Sequence, residues 1–361
     1  MKKTTRLITI LIFIFMYIPM AVLIVASFNT GKDITQFEGF TLQQYVRLFQ
    51  DDKLLGLLGK PVGVSAWEPF DADGEDQLYN YLGMGGVAVE PTPYFDETAP
   101  VVLLTENSAC DPTAMDNLEA YVRRGGTAVV TAGFFRRCYE GMKQMTSARL
   151  THRHALGDEY MVSHYNYPGS SICRGHDKVL FEIMNYKTNA TWADISVVAG
   201  EYNFPLLTED RYGRGRLFIL NVPENFADLY KLPAAVWQAF ARYISLGQRL
   251  YIAGDGKHML ITYDNGTFAI QSCNPMADTV NVIVRSECAG IRNLETGAEY
   301  TQRIALTPPG PTADSVTFFP DPQEYCFPVT IGGGCLAFFG FIGEDSGEAL
   351  ADSYIRTNPY E

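Results

Sequence analysis

The sequence predicts one transmembrane helix, then a doubly wound α/β domain and an antiparallel β-sandwich. Three patterns lead to this fold class. An uncharged apolar run occupies Leu7–Phe28, strand and helix patterns alternate between residues 59 and 248, and short strand patterns separated by Gly- and Pro-rich turns occupy residues 249–345. Strand–helix alternation is typical of parallel sheets, whereas evenly spaced short strands are typical of sandwiches. Residues 346–361 are polar, and we expect a flexible tail there.

The apolar run Leu7–Phe28 is long enough, as a helix, to cross a hydrocarbon core of about 30 Å. Lys2, Lys3 and Arg6 precede it, and the next basic residue is Lys32. Because basic residues accumulate on the cytoplasmic side, residues 1–28 are predicted to be a cytoplasmic N-terminus with a membrane helix. This predicts a single-pass protein of the cell membrane whose bulk is extracytoplasmic. A cleaved secretory signal is the alternative, since a basic start and an apolar run fit both.

The composition is that of a globular protein, with 47% hydrophobic residues and a net charge of −13. Nucleic acid is excluded as a partner because phosphate binding requires clustered Lys and Arg. The seven cysteines are irregularly spaced and odd in number, so they cannot all pair within one chain. This usage is typical of reduced thiols and conflicts with an exported topology. The sequence indicates no cofactor.

The first 58 residues contain three short motifs, Tyr17–Pro19, Ser27–Asn29 and Gly39–Tyr45. With these motifs the segment resembles the N-terminus of the permease subunits of polyamine-type (spermidine/putrescine) ABC importers, and residues 29–58 would be its extracytoplasmic part. The resemblance implies a transport component. Such a permease needs several more spanning helices and a cytoplasmic E-A-A loop, but no later apolar run is long enough to span. One helix cannot enclose a pathway, so transport by this chain alone is excluded.

From residue 59 the pattern becomes that of an α/β domain. Pro100–Thr105 is predicted to be a buried strand, and Asp111 and Pro112 are predicted to open a helix, since Asp caps and Pro suits the first helical position. Gly125 ends that helix, and Thr127–Thr131 is the next strand.

The run from Val101 to Gly133 also resembles class I glutamine-amidotransferase-like domains, in particular those embedded in microbial β-galactosidases and related glycosidases. The resemblance implies a flavodoxin-like α/β domain over residues 59–248, followed by the β-sandwich of those enzymes over residues 249–345. Active amidotransferases carry a nucleophilic Cys in a G-x-C-x-G elbow, whereas Gly133, Phe134 and Phe135 stand here. The resemblance therefore implies an assembly and packing domain rather than an enzyme, with self-association through the α/β domain.

Cys110 is the one catalytic candidate, because it precedes a predicted helix N-terminus, where the helix dipole can lower the pKa of a thiol. No elbow glycines flank it, so a small residue in a loop is the favoured interpretation. A second set of residues could bind a transition metal, but a solvated loop is favoured there because the spacing matches no known site. This set is His152, His154, His164 and His176.

Five carboxylates in one loop could supply the acid/base pair of a glycosidase, although a charged loop is the favoured interpretation. They are Glu68, Asp71, Asp73, Glu75 and Asp76. In the sandwich, Asn265 and Gly266 predict a hairpin turn. The sandwich is similar to the β-domains that close many glycosidases, and four of its aromatic residues are candidates for sugar stacking unless they are core. These are Tyr251, Tyr263, Phe318 and Phe319.

The pattern changes abruptly at Gly59, without a linker. We therefore expect a chimaeric or truncated membrane-anchored protein, whose soluble part is a non-catalytic assembly or binding module associated with carbohydrate enzymes. Carbohydrate is the expected partner besides the membrane. The alternatives are a component of a polyamine-type permease and a hydrolase or amidotransferase-like enzyme with an unrecognised site.

Overall fold

A computed structural model describes residues 54–56, 58–74, 78–163, 170–304 and 324–344. The chain divides into two compact units, Met1–Leu58 and Gly59–Glu361, and the second is described below. The predicted membrane helix Leu7–Phe28 and the predicted tail 346–361 lie outside the described residues.

Strands predominate among the regular elements. They are β1 (Pro61–Val62), β2 (Val64–Trp67), β3 (Val89–Thr92), β4 (Val101–Leu104), β5 (Thr127–Thr131), β6 (Arg149–Ser163), β7 (Ser170–Asn185), β8 (Trp192–Ala199), β9 (Tyr202–Tyr212), β10 (Gly215–Leu220), β11 (Leu250–Ala253), β12 (His258–Tyr263), β13 (Phe268–Ser272), β14 (Asp278–Val284), β15 (Ile291–Asn293), β16 (Glu299–Tyr300), β17 (Tyr325–Ile331) and β18 (Leu336–Phe341). The helices are α1 (Leu78–Met84), α2 (Ala114–Arg124), α3 (Ala132–Arg137), α4 (Tyr139–Met145) and α5 (Ala234–Ile244), with 3-10 helices at Glu106–Cys110 and Phe226–Lys231.

A nine-stranded sheet forms the larger layer, in the order β3-β2-β4-β5-β10-β9-β8-β6-β7. The strands from β3 to β10 are parallel to one another, whereas β9, β8, β6 and β7 pair antiparallel. Successive residues of β4 point to opposite faces, so that Val101 and Leu103 pack in the core under α5, and Val102 and Leu104 pack in the core under α2 and α3. The sheet therefore has a hydrophobic core on each face.

Two further sheets, both antiparallel, pack against each other. One has the order β1-β12-β13-β18-β15-β16 and the other β11-β14-β17, and a third hydrophobic core fills the space between them. The turn between β12 and β13 contains Asn265 and Gly266, and Gly266 has a φ of 84°, which glycine adopts without a Cβ clash. The predicted hairpin is thus confirmed.

Several local predictions agree with the structure. The strand predicted at Pro100–Thr105 is β4, the strand predicted at Thr127–Thr131 is β5, and the helix predicted to end at Gly125 is α2. Gly125 follows the last helical residue with a φ of 122°.

The predicted fold class is nevertheless wrong. The described chain is mostly β-sheet with few helices, and its large sheet is parallel in only one part, so it is not a doubly wound, flavodoxin-like α/β domain. The long hairpin of β6 and β7 and the strands β8 and β9 account for the difference. The difference arose because β6 and β7 carry exposed polar and charged residues at several positions, with bulges that interrupt the alternation.

The predicted single-pass membrane localisation is not supported by the described part of the chain. Within the described ranges, no helix is long and apolar enough to span a membrane.

Candidate functional site

Loops that follow parallel strands converge at one edge of the nine-stranded sheet. We call this surface the carboxyl edge and define it as residues 68–74 after β2, 93–98 after β3, 105–113 after β4 and 132–138 after β5. Sheets with parallel strands bind ligands most often beyond the carboxyl ends of those strands. The carboxyl edge is therefore the first place to look for a site.

Four side chains from three of these loops form a polar cluster. The Cys110 thiol donates to Asp73 Oδ1 at 3.0 Å, and Arg137 Nη1 donates to the same oxygen at 2.9 Å. Arg137 Nη1 also lies 3.2 Å from Cys110 Sγ, and its Nε lies 4.0 Å from Glu106 Oε1. The loops can approach this closely because Gly74, with a φ of 145°, lies against the Glu106 side chain, where a Cβ would be 2.8 Å from Cγ.

Asp73 is the acceptor around which this polar cluster is arranged. The hydrogen bond from Cys110 and then the hydrogen bond and charge of Arg137 hold the pKa of Asp73 below its ordinary value. The Cys110 sulfur donates to the Asp73 carboxylate and accepts from Arg137 Nη1 and from the backbone N–H of Asp73. The geometry thus gives Cys110 a positioning role for Asp73, and the catalytic role proposed from the sequence stays untested.

The neighbouring Arg136 reaches a different group. Its Nη2 lies 2.9 Å from Oε2 of Glu182, a side chain that is only 5% exposed, on β7. The other oxygen of Glu182 accepts from the backbone N–H of His152 at 2.9 Å. His152 has a φ of 55°, which is rare for a residue with a side chain and occurs at the bulge in β6. Arg136 therefore joins the end of α3 to the β6–β7 hairpin, whereas Arg137 joins it to the loops after β2 and β4.

An aromatic pair lies on the same edge. The rings of Phe70 and Tyr94 are 81% and 72% exposed, and their centroids are 6.0 Å apart at an interplanar angle of 81°. Phe70 follows β2 and Tyr94 follows β3, so neighbouring parallel strands carry the two rings. Large exposed aromatic rings that are paired with each other mark a surface available for contact.

The described histidines of the predicted metal set contact different partners or solvent. His152 Nδ1 lies 3.5 Å from Glu182, His154 Nε2 lies 3.3 Å from Glu224, and His176 is exposed on β7. His164 lies outside the described residues. In the part of the chain that the structure describes, no three His, Cys, Asp or Glu residues are grouped to hold a metal ion.

The other sequence candidates are dispersed. Glu68, Asp71 and Asp73 belong to the carboxyl edge, whereas Glu75 and Asp76 lie outside the described residues. Among the predicted sugar-stacking residues, Tyr251 is fully buried and Tyr263 partly buried. Phe318 and Phe319 are not described.

Sequence reasoning missed Phe70, Tyr94 and Arg137. Phe70 follows the buried strand β2, Tyr94 follows the partly buried strand β3 and Arg137 ends the short helix α3, and these positions were the available signal.

Two family models match separate parts of the chain. Residues 249–318 match the family model "Probable glycosyl hydrolase, C-terminal domain", and residues 59–225 match the model "Uncharacterized protein SSO3021, second domain". Residues 249–318 are thus similar to a glycosyl hydrolase C-terminal domain. Neither model covers residues 1–58, so the resemblance of that segment to a permease gains no support. No curated protein matches the chain.

Three solved structures illustrate the likeness in fold. A β-galactosidase from Bacillus circulans sp. alkalophilus matches with 12% identity and a TM-score of 0.47, over 84% of this chain and 45% of the enzyme. The α-L-fucosidase isoenzyme 2 from Paenibacillus thiaminolyticus matches with 10% identity and a TM-score of 0.47, over 83% of this chain and 51% of that one. The cytoplasmic protein STM3548 from Salmonella typhimurium matches with 11% identity and a TM-score of 0.35, over 52% and 98%. The chain spans less than half of the β-galactosidase.

Proposed function

We propose that the described part of the chain is a non-catalytic module of a carbohydrate-active system and that it binds saccharide without cleaving it. The match of residues 249–318 to the glycosyl hydrolase C-terminal domain carries this proposal. The exposed aromatic and polar side chains of the carboxyl edge supply a surface on which such binding can occur.

The carboxylates of the carboxyl edge support a binding role over hydrolysis. Glycoside hydrolysis requires two carboxyl groups that flank the scissile bond, one of them free to act as an acid. Asp73 and Glu106 lie beside Arg137, and Glu182 lies beside Arg136. After β5, where the chain turns into α3, the side chains of Phe134 and Phe135 are fully buried. Carboxylates that are paired with arginine in this way suit a rigid polar binding surface better than the acid/base pair of a glycosidase.

The full chain is to be tested for binding and for turnover in parallel. Affinity electrophoresis through gels that contain neutral galactan, mannan, xylan or β-glucan measures binding, and release of nitrophenol from a set of nitrophenyl glycosides measures hydrolysis. We expect retardation by at least one polysaccharide and no release above the rate in buffer.

Hydrolysis that co-purifies with the chain and disappears in Asp73→Asn or Glu182→Gln would contradict the non-catalytic role. Migration unchanged by every polysaccharide would contradict saccharide binding. Lys143→Ala, a change on α4 away from the carboxyl-edge carboxylates, is the matched control for both assays.

A further inference from the structure

We propose that Phe70 and Tyr94 form a stacking platform for a neutral pyranose saccharide. This inference rests on the proposed function and specifies its ligand class and binding site. A pyranose has a C–H face that packs against an aromatic ring and hydroxyl groups at its rim that exchange hydrogen bonds. The two rings lie nearly perpendicular to each other, so that one sugar can pack against a face while its neighbour meets an edge.

The loops that carry the two rings are held together by backbone groups. The N–H of Glu68 donates to Thr92 O at 2.8 Å, and the indole N–H of Trp67 donates to Pro93 O at 3.3 Å. The Thr92 hydroxyl donates to Tyr94 O at 3.0 Å. These bonds fix the ends of both loops, so the rings are positioned before a ligand arrives and less ordering entropy is lost on binding.

Packed aromatic rings lie close in sequence to the platform residues. Trp67 is 4% exposed and packs edge-on against Phe95, with ring centroids 5.4 Å apart. Phe95 in turn packs against Tyr121 of α2. Phe70 and Tyr94 are therefore exposed rings next to a well-packed part of the molecule.

The polar groups around the platform set its ligand class. Asp71 and Asp73 follow Phe70 in the same loop, and both are exposed. Asp96 follows Tyr94, and its Oδ1 accepts from the Thr98 hydroxyl at 2.7 Å. Carboxylates accept hydrogen bonds from sugar hydroxyls, whereas they repel the charge of uronic acids or sulfated sugars. The platform thus favours neutral over acidic saccharides.

The test compares variants of the full chain by affinity electrophoresis in the neutral polysaccharides named above and in polygalacturonate. Phe70→Ala and Tyr94→Ala are each expected to raise Kd about tenfold for the polysaccharide that binds wild type, since each removes one stacking ring. Tyr94→Phe keeps the ring and is expected to stay within about twofold of wild type.

Tyr202→Ala is the matched control, because Tyr202 is 79% exposed and lies on β9, which β4, β5 and β10 separate from β2 in the sheet. Thermal melting of each variant establishes that it is folded. Loss of binding in Phe70→Ala and Tyr94→Ala, with retention in Tyr94→Phe and Tyr202→Ala, supports the platform.

Other outcomes overturn it. If wild type binds and both alanine variants bind equally well, the platform is wrong while the proposed function stands. If wild type binds no neutral polysaccharide, both fail. If light scattering shows self-association that Phe70→Ala abolishes, the rings cover a second copy of the chain and the saccharide assignment is wrong.

Discussion

Asp194 is a buried carboxyl group near the middle of the large sheet. It is 5% exposed, it accepts from the Tyr243 hydroxyl at 2.9 Å through Oδ1, and its Oδ2 is buried without a hydrogen-bond partner. Burial raises the pKa of Asp194 to about 7. The residue therefore changes charge in the neutral range, where an exposed carboxyl group stays ionised.

This pKa gives a prediction with a definite sign. The folded state holds the Asp194 proton up to about pH 7, whereas the unfolded chain releases it near the ordinary value of 3.8. The contribution of Asp194 to stability is thus highest below about pH 4 and falls as pH rises to about 7. Asp194→Asn keeps the acceptor for Tyr243 and removes the charge, so we expect the variant to gain stability at about pH 8, by up to roughly 4 kcal/mol. Urea denaturation at about pH 5 and about pH 8 measures the free energy of unfolding of the variant and of wild type.

Asp177→Asn is the control, since Asp177 is exposed on β7 and undergoes the same chemical change. Burial also raises the pKa of Asp210, so some loss of stability with rising pH remains in Asp194→Asn. Equal behaviour of Asp194→Asn and wild type at both pH values would show that Asp194 ionises normally in the folded chain.

At the scale of elements, substitutions at the bulge in β6 test whether the backbone at His152 is strained. His152 has a φ of 55°, a region that Asn tolerates and β-branched residues avoid. Both His152→Val and His152→Asn remove the imidazole. We expect the Val variant to lose about 1–2 kcal/mol in the free energy of unfolding and the Asn variant to stay within about 0.5 kcal/mol. Urea titration of the two variants measures the difference, and equal losses would assign the effect to the imidazole instead.

The elements also show what the sequence could predict. β4, β5, α2 and the hairpin at Asn265 are encoded locally, by a buried apolar run, a capped amphipathic helix and a turn dipeptide. The β6–β7 hairpin is not encoded locally, because its strands take their register from pairing with each other and with β8.

For the candidate site, too, one part could be predicted from the sequence and another part could not. The position of Cys110 just before α2 was visible in the sequence. Its contact with Asp73 and Arg137 was not, because these residues are 37 and 27 positions away and meet only through the strand order β2-β4-β5. The exposure of Phe70 and Tyr94 likewise depends on how neighbouring loops pack.

At the scale of the whole molecule, a buried ionic network joins α5 to the sandwich. Glu324 lies 3.0 Å from Arg285 Nε and 3.6 Å from Arg242 Nη2, and Arg242 and Glu324 are both almost fully buried. The Tyr251 hydroxyl donates to Glu324 at 3.3 Å. The network contacts residues on both sides of position 249, so the predicted domain boundary there stays a prediction.

Removal of Glu324 is predicted to be costly. Glu324→Ala leaves two buried guanidinium groups without their shared carboxylate, and we expect a loss of about 3–5 kcal/mol in the free energy of unfolding. Glu299→Ala, which breaks an ion pair with Arg292 at a half-exposed position, is the control and is expected to cost about 0–1 kcal/mol. Urea denaturation followed by circular dichroism measures both. A loss as small in Glu324→Ala as in the control would contradict a stabilising role for the network.

The strand β1 lies at the edge of the sheet that contains β12, where Pro61 pairs with Tyr263 and Val62 with Thr262. The Thr262 hydroxyl donates to Val62 O across a sequence separation of 200 residues. On a ribosome that adds about 5–20 residues per second, β1 is synthesised roughly 10–40 seconds before its partner. During synthesis β1 is therefore the strand of this sheet that stays unpaired longest. In a nascent chain halted before residue 262, β1 would be accessible to chaperones.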